Sequence, residues 1–132
     1  MSERVTIQLI EGPLGPPTAK PPAGAGAWVV FDGIVRPSEE ARPLTALVYE
    51  AYEPMTTREL RRLAQTTLTT HQLLAIVVEH STGRVAAGEA SFRLSIGALH
   101  RAEAIRAADE FVAAMKKVVP IWKTPEFAGV SG

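Results

Sequence analysis

Between residues 101 and 118 one apolar stripe recurs at the three- and four-residue spacing of a helix face: Ala104, Ile105, Ala108, Phe111, Val112, Met115 and, just beyond, Val119. Pro120 ends the run, because a proline pushes the residue before it out of helical geometry. A helix that long with a single apolar face has to lie on another layer, and the remaining sequence supplies strands for one. Residues 27–35 are β-branched and aromatic, which predicts a buried strand with Gly33 as a bulge or close-approach point. Residues 44–52 alternate in polarity and predict a second strand, antiparallel to the first across the exposed, proline-bounded loop 37–43. Residues 73–79 and 89–96 predict a further hairpin around a turn at 82–88, where Gly83 and Gly88 stand. Residues 5–10 alternate as a short half-buried strand would.

A second helix is predicted over 54–70. Leu60, Leu63, Ala64, Thr67 and Leu68 share one face, with Arg58, Glu59, Arg61 and Arg62 on the other. Residues 11–26 hold five prolines and four glycines in sixteen positions, a composition that sustains neither a helix nor a central strand, so this is a loop. After a short extended piece at 121–123, residues 124–132 form a tail with no visible pattern. There is no internal repeat, and 132 residues with 46% apolar content suffice for one core. The expectation is one α+β domain over 1–132, with a mainly antiparallel sheet and two principal helices.

Charge narrows the function. Fourteen basic residues balance fourteen acidic ones, so no global field gathers nucleic acid or anionic membrane, and any anion site is local. Arg58, Arg61 and Arg62 lack the aromatic platform that nucleic-acid binding would add. The absence of cysteine removes disulfides, thiolate metal sites and a cysteine nucleophile together. The first ten residues lack a signal-peptide core and no later run reaches membrane-spanning length, so the chain is expected to be a soluble cytoplasmic protein.

The candidate chemistry is cationic. His71, His80 and His100 share no metal-ligand spacing, no serine stands in a Gly-x-Ser-x-Gly setting, and no glycine loop leads to a phosphate-binding lysine. His100 and Arg101 open the long helix where no Ser, Thr, Asp or Asn caps it, although Glu103 occupies a capping-box position. Free first-turn amides beside an imidazole and a guanidinium make an anion site; a weak cap with a solvated arginine fits the same residues. Lys116 and Lys117 suit the dipole at the helix end, and Lys116, four residues after Val112, also borders the apolar stripe. Lys123 lies in an extended Trp-Lys pair beyond Pro120. Arg36 ends the first long strand, where site residues often project.

These stretches together resemble the large subunit of molybdopterin synthase, from about residue 27 to residue 123. Residues 26–36, reading GAWVVFDGIVR, are similar to the family's first strand, and LVYEAYEPM at 47–55 to its next strand and helix entry. His80-Ser81-Thr82-Gly83 with Gly88-Glu89 resembles the family's hairpin, and His100-Arg101, Lys116 and Val119-Pro120-Ile121-Trp122-Lys123 form the most specific signature. The resemblance implies an α/β hammerhead fold and a homodimer with a small ubiquitin-like sulfur carrier at each end, a heterotetramer. It implies transfer of sulfur from the carrier's C-terminal thiocarboxylate to cyclic pyranopterin monophosphate, forming the dithiolene while the cyclic phosphate opens. No metal or cofactor is implied, and a sulfurtransferase with no thiol of its own must receive sulfur from outside.

Carried over residue by residue, Lys116 and Lys123 are the implied catalytic pair. Lys116 would shuttle protons, its ammonium crowded by other cations, and Lys123 would orient the thiocarboxylate or offset charge as its oxygen leaves. Arg36, His100 and Arg101 would bind substrate, the latter two across the dimer interface, with Phe31 as a pocket wall or simply core. The chain departs from the family at Ser81, where relatives carry arginine, and at its proline-rich loop, where they have a short helix, neither of which touches the implied catalytic pair. It departs also in its short tail, from which altered pocket closure or carrier affinity is expected. A non-catalytic carrier-docking or anion-binding module of the same fold is the rival reading.

Overall fold

In the computed structural model, which describes residues 4–129, the two predicted helices lie on one face of a seven-stranded sheet. In chain order the elements are β1 (Val5–Glu11), β2 (Ala27–Ile34), β3 (Ser38–Glu39), β4 (Arg42–Ala51), α1 (Met55–Thr70), β5 (Ala75–Ala86), β6 (Ala90–Ala98), α2 (Arg101–Val118) and β7 (Ile121–Phe127). The strand order is β2-β6-β5-β4-β3, with β1 also paired to β5 and β7 to β4. All pairings are antiparallel except β1 with β5, so the α+β architecture with a mainly antiparallel sheet stands.

The core follows from the helical and strand periodicities. Leu60, Ala64 and Leu68 of α1 and Ala104, Ala107, Phe111 and Met115 of α2 are buried against Ile76, Val78, Phe92, Leu94 and Ile96 of the central strands. The α2 stripe is rotated from the predicted one: Ala107 turns inward and Ile105 is more than half exposed. The opposite face of β5 and β6 buries Glu79, Ser81, Arg93 and Ser95. The proline-rich segment straps that face. Leu14 N–H donates to Ala90, the Arg93 guanidinium donates to the Gly15 carbonyl at 2.8 Å, and Gly26 N–H donates to Ala98.

Several expectations change. Residues 27–35 form a strand, but β2 is at the sheet edge and leaves Val30, Phe31 and Ile34 exposed rather than buried. It pairs with β6 and not with β4, while 37–43 makes its own tight hairpin, Ser38 and Glu39 opposite Pro43 and Arg42, with Glu40 and Ala41 at positive φ. The 82–88 turn lies later: β5 runs through Gly83 to Ala86. Gly83, at φ +77°, marks where β5 changes partners, Thr82 pairing with Glu11 of β1 and Gly83 with Tyr49 of β4. Its φ favours glycine, whereas the Glu11 carboxylate that a Cβ would meet is the mobile end of an exposed side chain and can move aside. Residues 124–127, predicted as tail, continue β7 along β4; residues 130–132 of that tail lie outside the described part. No helix among the described residues is long and apolar enough to cross a membrane.

One buried hydroxyl ties the chain just beyond α2 to the start of α1. Thr56 Oγ1 accepts from the Tyr52 N–H at 2.8 Å and donates to the Pro120 carbonyl at 2.7 Å. The first turn of α1 is thereby fastened to the α2–β7 junction, from which Lys123 departs three residues later.

Candidate functional site

A cavity of about 630 Å³ opens between the C-terminal turn of α2, the end of β2, β4 and the β5–β6 pair. That volume suits a small organic ligand. Lys116 reaches it from the last turn of α2, Lys123 from β7, Arg36 from just beyond β2, and Phe31 from β2 itself. Each arrives for a local reason. Lys116 follows the inward-facing Met115, so it sits on the rim of the buried stripe. Pro120 breaks the helix and sends the chain into β7, where Lys123 pairs across from Tyr49. The register shift between Gly33 and Ile34 redirects the chain just before Arg36. The Phe31 ring lies 6.1 Å from that of Phe92 and is 41% exposed, so it is a wall of the cavity rather than core.

Three cations and one carboxylate give this wall its electrostatic character. Glu39 Oε1 accepts from the Lys123 ammonium at 3.4 Å and lies 3.7 Å from Arg36 Nη2. Lys116 leaves the balance positive, so an anionic ligand is favoured. The uncharged part of the wall is equally ordered. The Tyr49 and Ser91 hydroxyls share a hydrogen bond of 2.9 Å, and the Tyr49 ring stands edge-on to His80, centroids 5.1 Å apart. Burial holds the His80 imidazole below the ordinary histidine range, offset in part by its bond to the Ser81 carbonyl, so at neutral pH it carries no charge.

His100 and Arg101 are elsewhere. They stand at the start of α2, fifteen residues from Lys116, which at the helical rise is about 22 Å. His100 is the N-cap residue with no side-chain cap bond, and its Nδ1 lies 3.5 Å from Glu103 Oε2, so the first-turn amides have no side-chain cap. Within one chain neither residue lines the cavity.

Glu39, Tyr49, His80 and Ser91 line the cavity without having been singled out as site residues. Tyr49 and His80 lie inside two of the recognised segments, which was the available signal. Nothing in the sequence distinguishes Glu39 from its neighbour Glu40, because only the tight β3–β4 turn faces it inward. A second hollow, about 340 Å³ between the start of β1 and the end of α1, contains Arg4 as its one titratable side chain, already tied to the Leu73 and Leu74 carbonyls. Among the described residues no three His, Cys, Asp or Glu side chains gather as metal ligands would.

Comparison with known proteins shows the family to which the chain belongs. Residues 16–118 match the family model described as MoaE protein. The molybdopterin synthase catalytic subunit of Coccidioides immitis is 39% identical over 131 residues, covering 96% of this chain and 66% of that protein. The subunit of the same name from Oryza sativa subsp. japonica is 40% identical over 99 residues, 75% of this chain and 51% of its own length. The chain thus spans about half to two thirds of these relatives. Among solved structures, molybdopterin synthase from Staphylococcus aureus superposes with a TM-score of 0.76 at 26% identity, covering 83% of this chain and 80% of that one. The complex of subunits 1 and 2 of molybdopterin-converting factor from Helicobacter pylori gives 0.73 at 22% identity over 94% and 86%, a likeness of fold.

Proposed function

The chain belongs to the MoaE family of molybdopterin synthase catalytic subunits, and from that premise we propose that it transfers sulfur from the thiocarboxylated tail of a small carrier subunit to cyclic pyranopterin monophosphate, forming the molybdopterin dithiolene. The observation that carries this reading is the meeting of Lys116, Lys123, Arg36 and Phe31, from separate parts of the chain, in one cavity. Two anionic partners must enter it, a thiocarboxylate and a cyclic phosphate, and a wall of three cations suits both. Arg36 offers a planar fork for phosphate oxygens. Lys123, at the exposed side of β7, meets the incoming tail and offsets charge as oxygen leaves. Lys116, between the apolar Met115 side and the cavity, exchanges protons with the reacting groups. No resident cofactor is needed, since sulfur arrives on the carrier.

His100 and Arg101 join such a site only if a second copy of the chain brings its α2 N-terminus to this cavity. The open edge of β2, with Val30, Phe31 and Ile34 uncovered, supports a homodimer that would do so, and a carrier on each protomer makes the assembly a heterotetramer. The reaction so read belongs to the cytoplasm.

Reconstitution tests the reading. Purified chain, thiocarboxylated small subunit and cyclic pyranopterin monophosphate are expected to yield the dithiolene product, and Lys116→Ala to yield none while melting like the parent, since exposed substitutions usually cost under about 0.5 kcal/mol. Absence of product from the parent protein, or near-normal product from Lys116→Ala, would overturn it.

A further inference from the structure

The cavity's charged groups are nearly all donors. Arginine and lysine offer N–H groups and accept nothing, and the one carboxylate, Glu39, is already engaged by Lys123 and Arg36. Cations of this kind hold phosphate and thiocarboxylate. They do nothing for the other half of the proposed substrate, because a pterin ring presents N–H donors of its own. A site that binds it in one orientation needs an acceptor that is fixed and uncommitted.

His80 meets that requirement. Its Nδ1 lies 2.8 Å from the Ser81 carbonyl oxygen, and a carbonyl can only accept, so Nδ1 carries the proton. In the neutral ring Nε2 then bears the lone pair. The ring cannot turn away: Tyr49 abuts it edge-on and Phe92 packs at 5.8 Å, tilted by 56°. His80 lines the cavity, and with Nδ1 turned back to the main chain Nε2 is the ring nitrogen left for a ligand. Nε2 has no hydrogen-bond partner among the described residues. Nor is it sealed from solvent, as the unpartnered Glu79 Oε2, Ser81 Oγ and Ser95 Oγ are. The Tyr49 and Ser91 hydroxyls beside it share one proton and keep lone pairs, but their O–H groups rotate to suit a partner, whereas the Nε2 lone pair has one direction.

We propose that His80 is a substrate-binding residue of this cavity, its Nε2 accepting a hydrogen bond from an N–H of the pterin ring; the proposal rests on the function assigned above. Discrimination follows from the same contact. A ligand carrying only the phosphate satisfies the cations and leaves Nε2 unpaired, so the histidine separates a pterin from other small phosphates.

The test measures binding of cyclic pyranopterin monophosphate to the purified chain by calorimetry, with carrier docking followed separately. In His80→Asn the amide keeps the donor to the Ser81 carbonyl and removes the distal acceptor; in His80→Gln an amide oxygen can take the place of Nε2. The first variant is expected to bind the pterin about tenfold more weakly, the worth of one neutral hydrogen bond in such a site. The second is expected to recover most of that loss, and both should dock the carrier normally. In the unaltered protein, labelled with ¹⁵N-histidine, the resonance of the unprotonated His80 nitrogen should move upfield when the pterin is added, a readout that requires no variant to fold. Binding by His80→Asn within twofold of the parent, or an unmoved nitrogen resonance in the saturated parent, overturns the role of His80 alone. Failure of the parent to bind the pterin overturns the functional reading and this inference with it.

Discussion

Glu39 and Lys123 meet across the mouth of the cavity, 84 positions apart in sequence, the carboxylate accepting from the ammonium at 3.4 Å. The same oxygen faces Arg36 at 3.7 Å. Two cations proposed to receive anionic partners are therefore held, in the free protein, by an anion of the chain itself. Lys123 is about half exposed and the pair is solvent-screened, so the clamp is weak enough to exchange for a ligand. Glu39→Gln should lower the KM for the cyclic pyranopterin substrate by about two- to fivefold at low salt, and the effect should fade as ionic strength rises. A raised KM in steady-state assays would instead make Glu39 a necessary positioning group.

The Thr56 hydroxyl carries a different kind of dependence. It is fully buried and joins the Tyr52 N–H to the Pro120 carbonyl, so Thr56→Val keeps the shape and takes the shared partner from one part-buried donor and one part-buried acceptor. Denaturant unfolding should show a loss of about 1–3 kcal/mol. Because Pro120 leads directly to β7, turnover should fall as well even at temperatures where the variant is folded. Unchanged stability would mean that the junction is held by packing alone.

How much of this was legible beforehand differs by kind of interaction. The α2 boundaries follow from a local stripe and a local proline, and they coincide with the observed helix. The existence of the main strands was likewise readable from alternation. Strand pairing was not, because the joining of β2 to β6 is decided by which edges remain free after the sheet assembles, and apolar composition does not distinguish an interior strand from an edge awaiting cover. Gly83 looked like a turn because its positive φ also serves where a strand changes partners. The lysines were readable as borderline members of a stripe and of a strand. His80 shares no metal-ligand spacing with the other histidines, and its importance comes from burial beside Tyr49 and Phe92, which no spacing records.

His80 also predicts how stability varies with pH. Its pKa in the folded chain lies below the unfolded histidine value, chiefly from desolvation, so the folded state resists protonation. The unfolded chain therefore binds more protons in the interval between the two values, and stability rises with pH there. What His80 contributes is present above the ordinary histidine range and is lost as pH falls through it toward the lower folded value. The groups beside the ring add no compensating anion: Tyr49 and Ser91 are neutral, Lys116, Lys123 and Arg36 are cationic, and Glu39 is occupied. Thermal melts should fall between pH 7 and pH 5 for the parent, and His80→Gln should flatten that slope. A parent slope retained in the variant would remove His80 as its source.

The distance of His100 and Arg101 from Lys116, about 22 Å along one rigid helix, forces a choice between a shared and a self-contained site. If a second protomer supplies the α2 N-terminus, each cavity combines Lys116 of one chain with His100 of the other. Lys116→Ala and His100→Ala should then each be inactive or severely impaired alone. Mixed after dissociation, they pair at random, and half of the dimers carry one variant of each kind. In those dimers one cavity inherits both defects and the other inherits neither. Random mixing should therefore restore about a quarter of the parent activity. Dithiolene formation by the mixture, against each variant at the same total concentration, measures this. Activity no greater than the sum of the separate variants would confine each site to one chain and remove His100 and Arg101 from it, because the helix cannot bend far enough to bring them back.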